Sequence, residues 1–227
     1  MRLGLLGGTF DPIHRGHLDA GRVARRALGL DRVLLVPARV PPHRAAEPHA
    51  SGYHRFAMAV LAAQDAEGFE VSDIELASPG PSYTARTLRE FQRFGLAASQ
   101  MFFISGVDAF ADIATWHDYP ELLDLAHWVV VARPGYAIAD LAARLPEVVG
   151  RFERREADAV PPASTADRTS VWLVEATTTD VSSTELRRRI RANEPFDDLA
   201  PLAVTRHIRH HGLYQAPSPA GRLHDQE

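Results

Sequence analysis

The string Gly7-Gly8-Thr9-Phe10-Asp11-Pro12-Ile13-His14-Arg15-Gly16-His17 carries the clearest chemistry in this 227-residue chain. His14 and His17 stand three positions apart, a spacing that puts them near each other on one helical surface. Gly7 and Gly8 let the backbone approach a ligand closely and take turn conformations closed to other residues. Gly16, between the histidines, leaves room for that ligand. A helix starting near His14 aims its free N–H groups and positive dipole end at the same space. Two imidazoles beside an anion-attracting helix end suit a phosphoryl group that gains charge during reaction. A tight turn with surface or core histidines would account for the glycines, or for one histidine, taken singly. The complete string asks for more. It is not a dinucleotide-binding turn, because Gly7, Gly8 and Gly16 lack the required spacing.

A second constellation is Val181-Ser182-Ser183-Thr184-Glu185-Leu186-Arg187. Ser182 and Glu185 have capping-box spacing and predict a well-started helix. A cap alone leaves three consecutive hydroxyl residues and an arginine one turn in unexplained. Together they make a cradle for phosphates. In Phe103-Ile104-Ser105-Gly106-Val107-Asp108, Gly106 follows a predicted strand, and Asp108 could cap the next helix or accept from ribose hydroxyls. Spacing alone makes Trp116 a buried aromatic. Pro41-Pro42-His43-Arg44 reads as a loop whose cation holds a phosphate, or as solvated surface, and Arg133 is a weaker ligand candidate. His207, His210 and His211 invite a metal reading, but arginines surround them and no acidic partner is near in sequence. A solvated basic helix end is the expectation there, and no protein-held metal site is expected.

The elements that must position these groups follow from apolar periodicity. Leu3 to Leu6, Val33 to Val36, Phe69 to Ile74, Met101 to Ile104, Trp128 to Val131 and Val171 to Val174 read as strands. Several are continuously apolar, as in parallel strands buried on both faces. A first helix puts Ala20, Val23, Ala24 and Ala27 on one face and ends at Gly29. Further helices are predicted at about Gly52–Ala66, Ser82–Phe94, Asp108–Trp116, Ile138–Val148, Ser182–Ala192 and Leu202–His210. This order implies an α/β, doubly wound, Rossmann-like and mostly parallel sheet, with helices on both faces and a small C-terminal helical part. Ligands then bind at the carboxyl ends of strands, which singles out segments starting at Gly7, Pro37, Ser105 and Ala176. One domain spans 1–215. Within it, 39–51 reads as a binding loop, 151–169 as a loop insertion and 182–215 as the helical part, with a flexible tail at 216–227.

Bulk composition narrows the partners. A formal net charge of -4 gives no basic footprint for nucleic acid. The absence of cysteine removes disulfides, thiolate metal sites and cysteine nucleophiles. The N-terminal apolar run is short and broken by glycine, and no run reaches membrane-spanning length, so a soluble cytoplasmic protein is expected. Oligomeric state is not legible.

The eleven-residue string resembles the signature of bacterial nicotinate mononucleotide adenylyltransferases, within the wider superfamily marked by histidine-any-glycine-histidine. The other motifs follow in the family's order from Met1 to Tyr214, apart from 151–169. Val181 to Arg187 is similar to Ile-Ser-Ser-Thr-any-Ile-Arg, with Val181 and Leu186 as conservative departures. The resemblance implies that ATP and nicotinate mononucleotide give nicotinate adenine dinucleotide and pyrophosphate, in NAD synthesis. It implies catalytic roles for His14, His17 and Arg187, with Gly7, Gly8, Thr9, Phe10, Gly106, Asp108, Ser182, Ser183 and Thr184 around ATP. Trp116 would stack on the nicotinate ring. Backbone amides near Thr84, in Ser82-Tyr83-Thr84, and at His117 would bind its carboxylate, which accepts only. Arg86 stands where many relatives carry an acidic residue, and Arg44 replaces the lysine of Pro-Pro-His-Lys. The mononucleotide's phosphate is itself the nucleophile, so positioning and charge stabilisation suffice. Mg2+ is expected, held mainly by ATP phosphates. Two rival readings are an adenylyltransferase for another substrate and a non-catalytic nucleotide sensor.

Overall fold

The computed structural model describes residues 1–42, 47–132, 138–161 and 168–215. Arg44, Arg133 and the tail from 216 lie outside the described residues, as does the middle of the 39–51 loop.

Alternation of apolar runs and amphipathic stretches builds one seven-stranded sheet in the order β3-β2-β1-β4-β5-β7-β6. The strands are β1 (Leu3–Gly8), β2 (Arg32–Pro37), β3 (Phe69–Val71), β4 (Met101–Gly106), β5 (His127–Ala132), β6 (Phe152–Glu156) and β7 (Val171–Glu175). Every pairing is parallel. β1 sits centrally, with β2 on one side and β4 on the other. The chain thus winds outward in both directions from β1, and a crevice opens where β1 and β4 end.

Helices cover both faces. α1 (Arg15–Leu28), α2 (Gly52–Gln64), α7 (Ser183–Arg191) and α8 (Leu202–His210) bury one apolar cluster against the sheet. α4 (Thr84–Arg93), α5 (Val107–Phe110) and α6 (Ile138–Arg144) lie over the other, with α3 (Ile74–Ala77) at its rim. In α1 the predicted face is extended by Leu18 and Leu28. Gly29 ends the helix in the left-handed region at φ 60°, its N–H donating to the Arg25 carbonyl. Among the described residues no helix is long and apolar enough to cross a membrane.

Three elements differ from expectation. The strand predicted to reach Ile74 stops at Val71, because Ser72 turns the chain by accepting from the Ile74 N–H at 3.3 Å and α3 begins. The helix predicted over Asp108–Trp116 is instead α5 followed by a 3-10 turn at Ile113–Thr115. Val107, Phe110 and Ile113, all buried, recur every third residue, and a 3-10 path lines up that period better than an α-helix does. Within 151–169, read as a loop insertion, β6 adds an edge strand to β7. Its Phe-Glu-Arg-Arg-Glu sequence hid it, since an edge strand tolerates charges that a central one does not.

Candidate active site

The phosphate-type turn begins inside β1. Gly7 and Gly8 remain in the strand, and neither takes a positive φ. Glycine here serves close approach: a Cβ would lie 3.0 Å from the Phe103 ring at Gly7 and 3.0 Å from the Phe10 ring at Gly8. The left-handed turn falls on Phe10, at φ 50°, a conformation that costs energy in a non-glycine residue and tends to mark functional turns. Gly16 is likewise a packing requirement. A Cβ there would meet the Thr179 carbonyl at 3.1 Å and the His14 ring at 3.2 Å.

His14 is the N-cap of α1, as expected, and its ring stacks on His17 with centroids 3.7 Å apart. The His14 backbone N–H donates to His17 Nδ1 at 3.2 Å. A ring nitrogen that accepts is unprotonated, so the proton of the neutral His17 ring resides on Nε2. His17 is thereby set as a donor, with Phe10 edge-on against it at 5.0 Å.

Beneath the turn lies a polar hub that the sequence did not announce. Asp11 is 1% exposed. Its carboxylate accepts from the His49 N–H at 2.8 Å, the Ala50 N–H at 3.0 Å and the Tyr214 hydroxyl at 2.9 Å. Burial alone would raise the Asp11 pKa, yet these bonds hold it below its ordinary value. Arg55, 2% exposed, donates to the carbonyls of Thr9 at 2.8 Å, Ala38 at 2.6 Å and Ala50 at 3.2 Å. Arg187 donates to the Asp11 carbonyl at 2.6 Å and to Thr184 Oγ1 at 3.3 Å.

Above the hub a cleft opens in two lobes. One, of about 290 Å³, is lined by the predicted Gly7, Gly8, Thr9 and Phe10, and by Thr84, Trp116, His117 and Ser183. The other, of about 310 Å³, takes in His14, Gly106 and Asp108. Gly7, His17, Phe103 and Trp116 line both, so the lobes meet at His17. A Cβ on Gly106 would meet nothing within 4 Å. Asp108 stands in the first turn of α5 and does not cap it; Gly106 does. Thr178 and Thr179, just past β7, complete the second lobe and were missed, although that strand end had been singled out.

Three predicted groups do not line either lobe: Ser182, Thr184 and Arg187. Ser182 accepts from the Glu185 N–H at 3.1 Å, a plain helix cap. Arg187 was expected on the reacting phosphates. The carbonyl of Asp11 instead draws its guanidinium under the turn, leaving 9% of the side chain exposed. Its contacts are those of a positioning residue. Ser183 does face the first lobe, and its hydroxyl donates to the Pro12 carbonyl at 2.9 Å.

At the far end of the first lobe, Tyr83 and His117 rings lie 4.2 Å apart. His117 Nδ1 is 2.7 Å from Asp118, which also pairs with Arg89. Arg86 is turned away onto the Pro79 carbonyl at 2.7 Å. Glu75, from α3, lines the same lobe. Desolvation raises its pKa, against bonds from Thr87 and Ser82. Sequence reasoning had no signal for Glu75 or Arg55, since each acts across a fold contact. Among the described residues no three imidazoles or carboxylates converge in the cleft.

Comparison with known proteins gives concordant results. A family profile described as Cytidylyltransferase-like matches residues 5–189. A Roseiflexus sp. (strain RS-1) protein named "Probable nicotinate-nucleotide adenylyltransferase" is 43% identical, over 94% of this chain and 98% of its own. A Thermus thermophilus protein of the same name is 42% identical, over 95% and 100%. Among solved structures, Plasmodium falciparum nicotinic acid mononucleotide adenylyltransferase complexed with NaAD superposes with a TM-score of 0.69. That alignment has 16% identity and covers 94% of this chain and 97% of the other.

Proposed function

Because the chain belongs to the cytidylyltransferase-like nucleotidyltransferases and, within them, to the nicotinate-nucleotide adenylyltransferase family, we propose that its cleft joins ATP to nicotinate mononucleotide. The single observation that carries this reading is the meeting of the two lobes at His17. One substrate fills each lobe, and their phosphates approach at the pinch.

In this reaction a phosphate oxygen of the mononucleotide attacks the α-phosphorus of ATP. The bond from that phosphorus to the oxygen bridging it to the β-phosphate breaks, and pyrophosphate leaves with the electron pair. The nucleophile is already ionised, so no general base is needed. His17 donates from Nε2 to charge developing on the α-phosphate, and His14 braces that ring by stacking. The α1 amino end and the Ser183 backbone N–H at the start of α7 add donors, while Arg187 holds the turn through Asp11. Gly106 and Asp108 with Thr179 border the adenosine. Trp116 stacks on the pyridine ring, and the turn at Thr84 and His117 faces its carboxylate. Arg44, in the place of the lysine of Pro-Pro-His-Lys, holds a phosphate, and Arg133, which follows β5 in sequence, is a weaker ligand candidate for the mononucleotide. When bound with ATP, Mg2+ neutralises charge on the phosphates. The enzyme acts in the cytoplasm, as one domain and without nucleic acid.

Glu75 favours a second reading. An ionised carboxylate in the pyridine lobe accepts from a carboxamide and repels a carboxylate, which would turn preference toward nicotinamide mononucleotide. Pyrophosphate release from ATP with each mononucleotide in turn decides between them. A higher kcat/KM with the acid supports the first reading, a higher value with the amide the second. No release with either would sink both and leave a nucleotide sensor.

A further inference from the structure

Away from both lobes, three imidazoles from two helices converge. His54 lies in the first turn of α2, while His207 and His211 are four residues apart at the end of α8. One ring nitrogen from each lies within 4.8 Å of the other two. His54 Nδ1 and His207 Nε2 are 3.2 Å apart. The His211 ring centroid is 4.4 Å from that of His207 and 4.8 Å from that of His54.

Two nitrogens bound tetrahedrally to zinc at ~2.0–2.1 Å sit about 3.3 Å apart. A lone hydrogen bond would explain the first distance. It would not explain why a third ring closes on the pair. We propose that His54, His207 and His211 form a divalent transition-metal site, filled by Zn2+, that clips α8 to α2.

Surroundings favour the ion. The carbonyl end of α8 welcomes positive charge. Arg209, between the two α8 ligands, is already held by Asp197 through bonds of 2.6 and 2.7 Å. None of the three histidines lines either lobe of the cleft, so the site is structural. It fastens the helix that leads to Tyr214, whose hydroxyl reaches Asp11. Sequence alone showed His207 and His211 without His54, whose α2 packs against α8 only in the fold.

The untagged full chain, stripped with a chelator, is titrated with Zn2+ by calorimetry and by thermal unfolding. One ion per chain is expected, with a Tm that climbs as free Zn2+ rises. His211→Ala and His54→Ala should each weaken binding by more than ~100-fold, beyond the loss of an outer-shell partner. His210→Ala should bind normally. The proposal is overturned by a Tm indifferent to Zn2+. It is equally overturned by binding that survives in both ligand variants and vanishes in His17→Ala, which would put the ion in the cleft.

Discussion

Around His17, where the lobes meet, cavity-facing groups stand on a strand end and helix starts, fastened from below by Asp11, Arg55 and Arg187. Toward Glu75, Thr84 and His117 in the first lobe, they stand on short turns: α3, the start of α4 and the 3-10 turn before Trp116. The two regions also treat their buried carboxyls oppositely. Asp11 is held below its ordinary pKa by donated bonds, whereas desolvation lifts Glu75 above its own. The lesson is one of division of labour. On the proposed reaction, the part of the cleft where charge would shift is preorganised, and the part that would choose a substrate holds a buried carboxyl with a raised pKa.

The largest break in this contrast should come from His17→Ala. Removing a donor aimed at transition-state charge costs ~10²–10³ in rate, so kcat/KM for pyrophosphate release should fall at least that far while Tm holds. Equal kcat/KM in variant and wild type would remove His17 from the chemistry. Next comes Asp11→Asn, which leaves buried donors facing an amide. A loss of about 2–4 kcal/mol in urea unfolding at pH 7 is expected. Because the folded Asp11 pKa is lowered, its contribution is complete above the unfolded value and fades as pH falls through the folded one. The gap between wild type and variant should therefore narrow below about pH 3.8. A gap independent of pH would mean that ionised Asp11 does not anchor the turn.

Trp116→Ala tests the proposed contact with the pyridine ring. Loss of stacking area should raise KM for the mononucleotide ~10–30-fold, or about 1.4–2 kcal/mol, with KM for ATP nearly unchanged. An equal rise in both would show that Trp116 supports the shared wall rather than the ring. The smallest effect belongs to Glu75→Gln, a several-fold change in the ratio of kcat/KM for acid over amide. Its pH signature is the reverse of that of Asp11. With a raised folded pKa, Glu75 contributes stability below about pH 4.5 that is lost as pH rises through the folded value. Glu75→Gln should thus gain on wild type as pH rises toward 7.

How much was legible follows the same division. The order of strands and helices, the crevice beside β1 and the turn around His14 and His17 could be read because their signals are local: apolar runs, caps, and residues within one turn. Ser183 was legible for that reason, as part of a helix start. Asp11 was visible only as a motif member, and its partners at His49, Ala50 and Tyr214 were not, because no periodicity links them. Arg55 looked like one more polar residue on an amphipathic helix. Glu75 lay just past a segment read as strand. Of the two properties read for Gly7 and Gly8, the turn conformation is not taken up, since clearance from aromatic rings leaves the same mark in sequence as a left-handed turn.

The bond between Tyr214 and Asp11 spans 203 positions, and it has a consequence for how the protein is made. As the chain leaves the ribosome, the turn around Asp11 emerges long before one of its anchors, Tyr214. A nascent chain stopped short of residue 214 would display both histidines and the glycines, yet lack a bond that sets the Asp11 carboxylate. Activity should therefore wait until α7, α8 and Tyr214 have cleared the exit tunnel and closed back on the turn after β1.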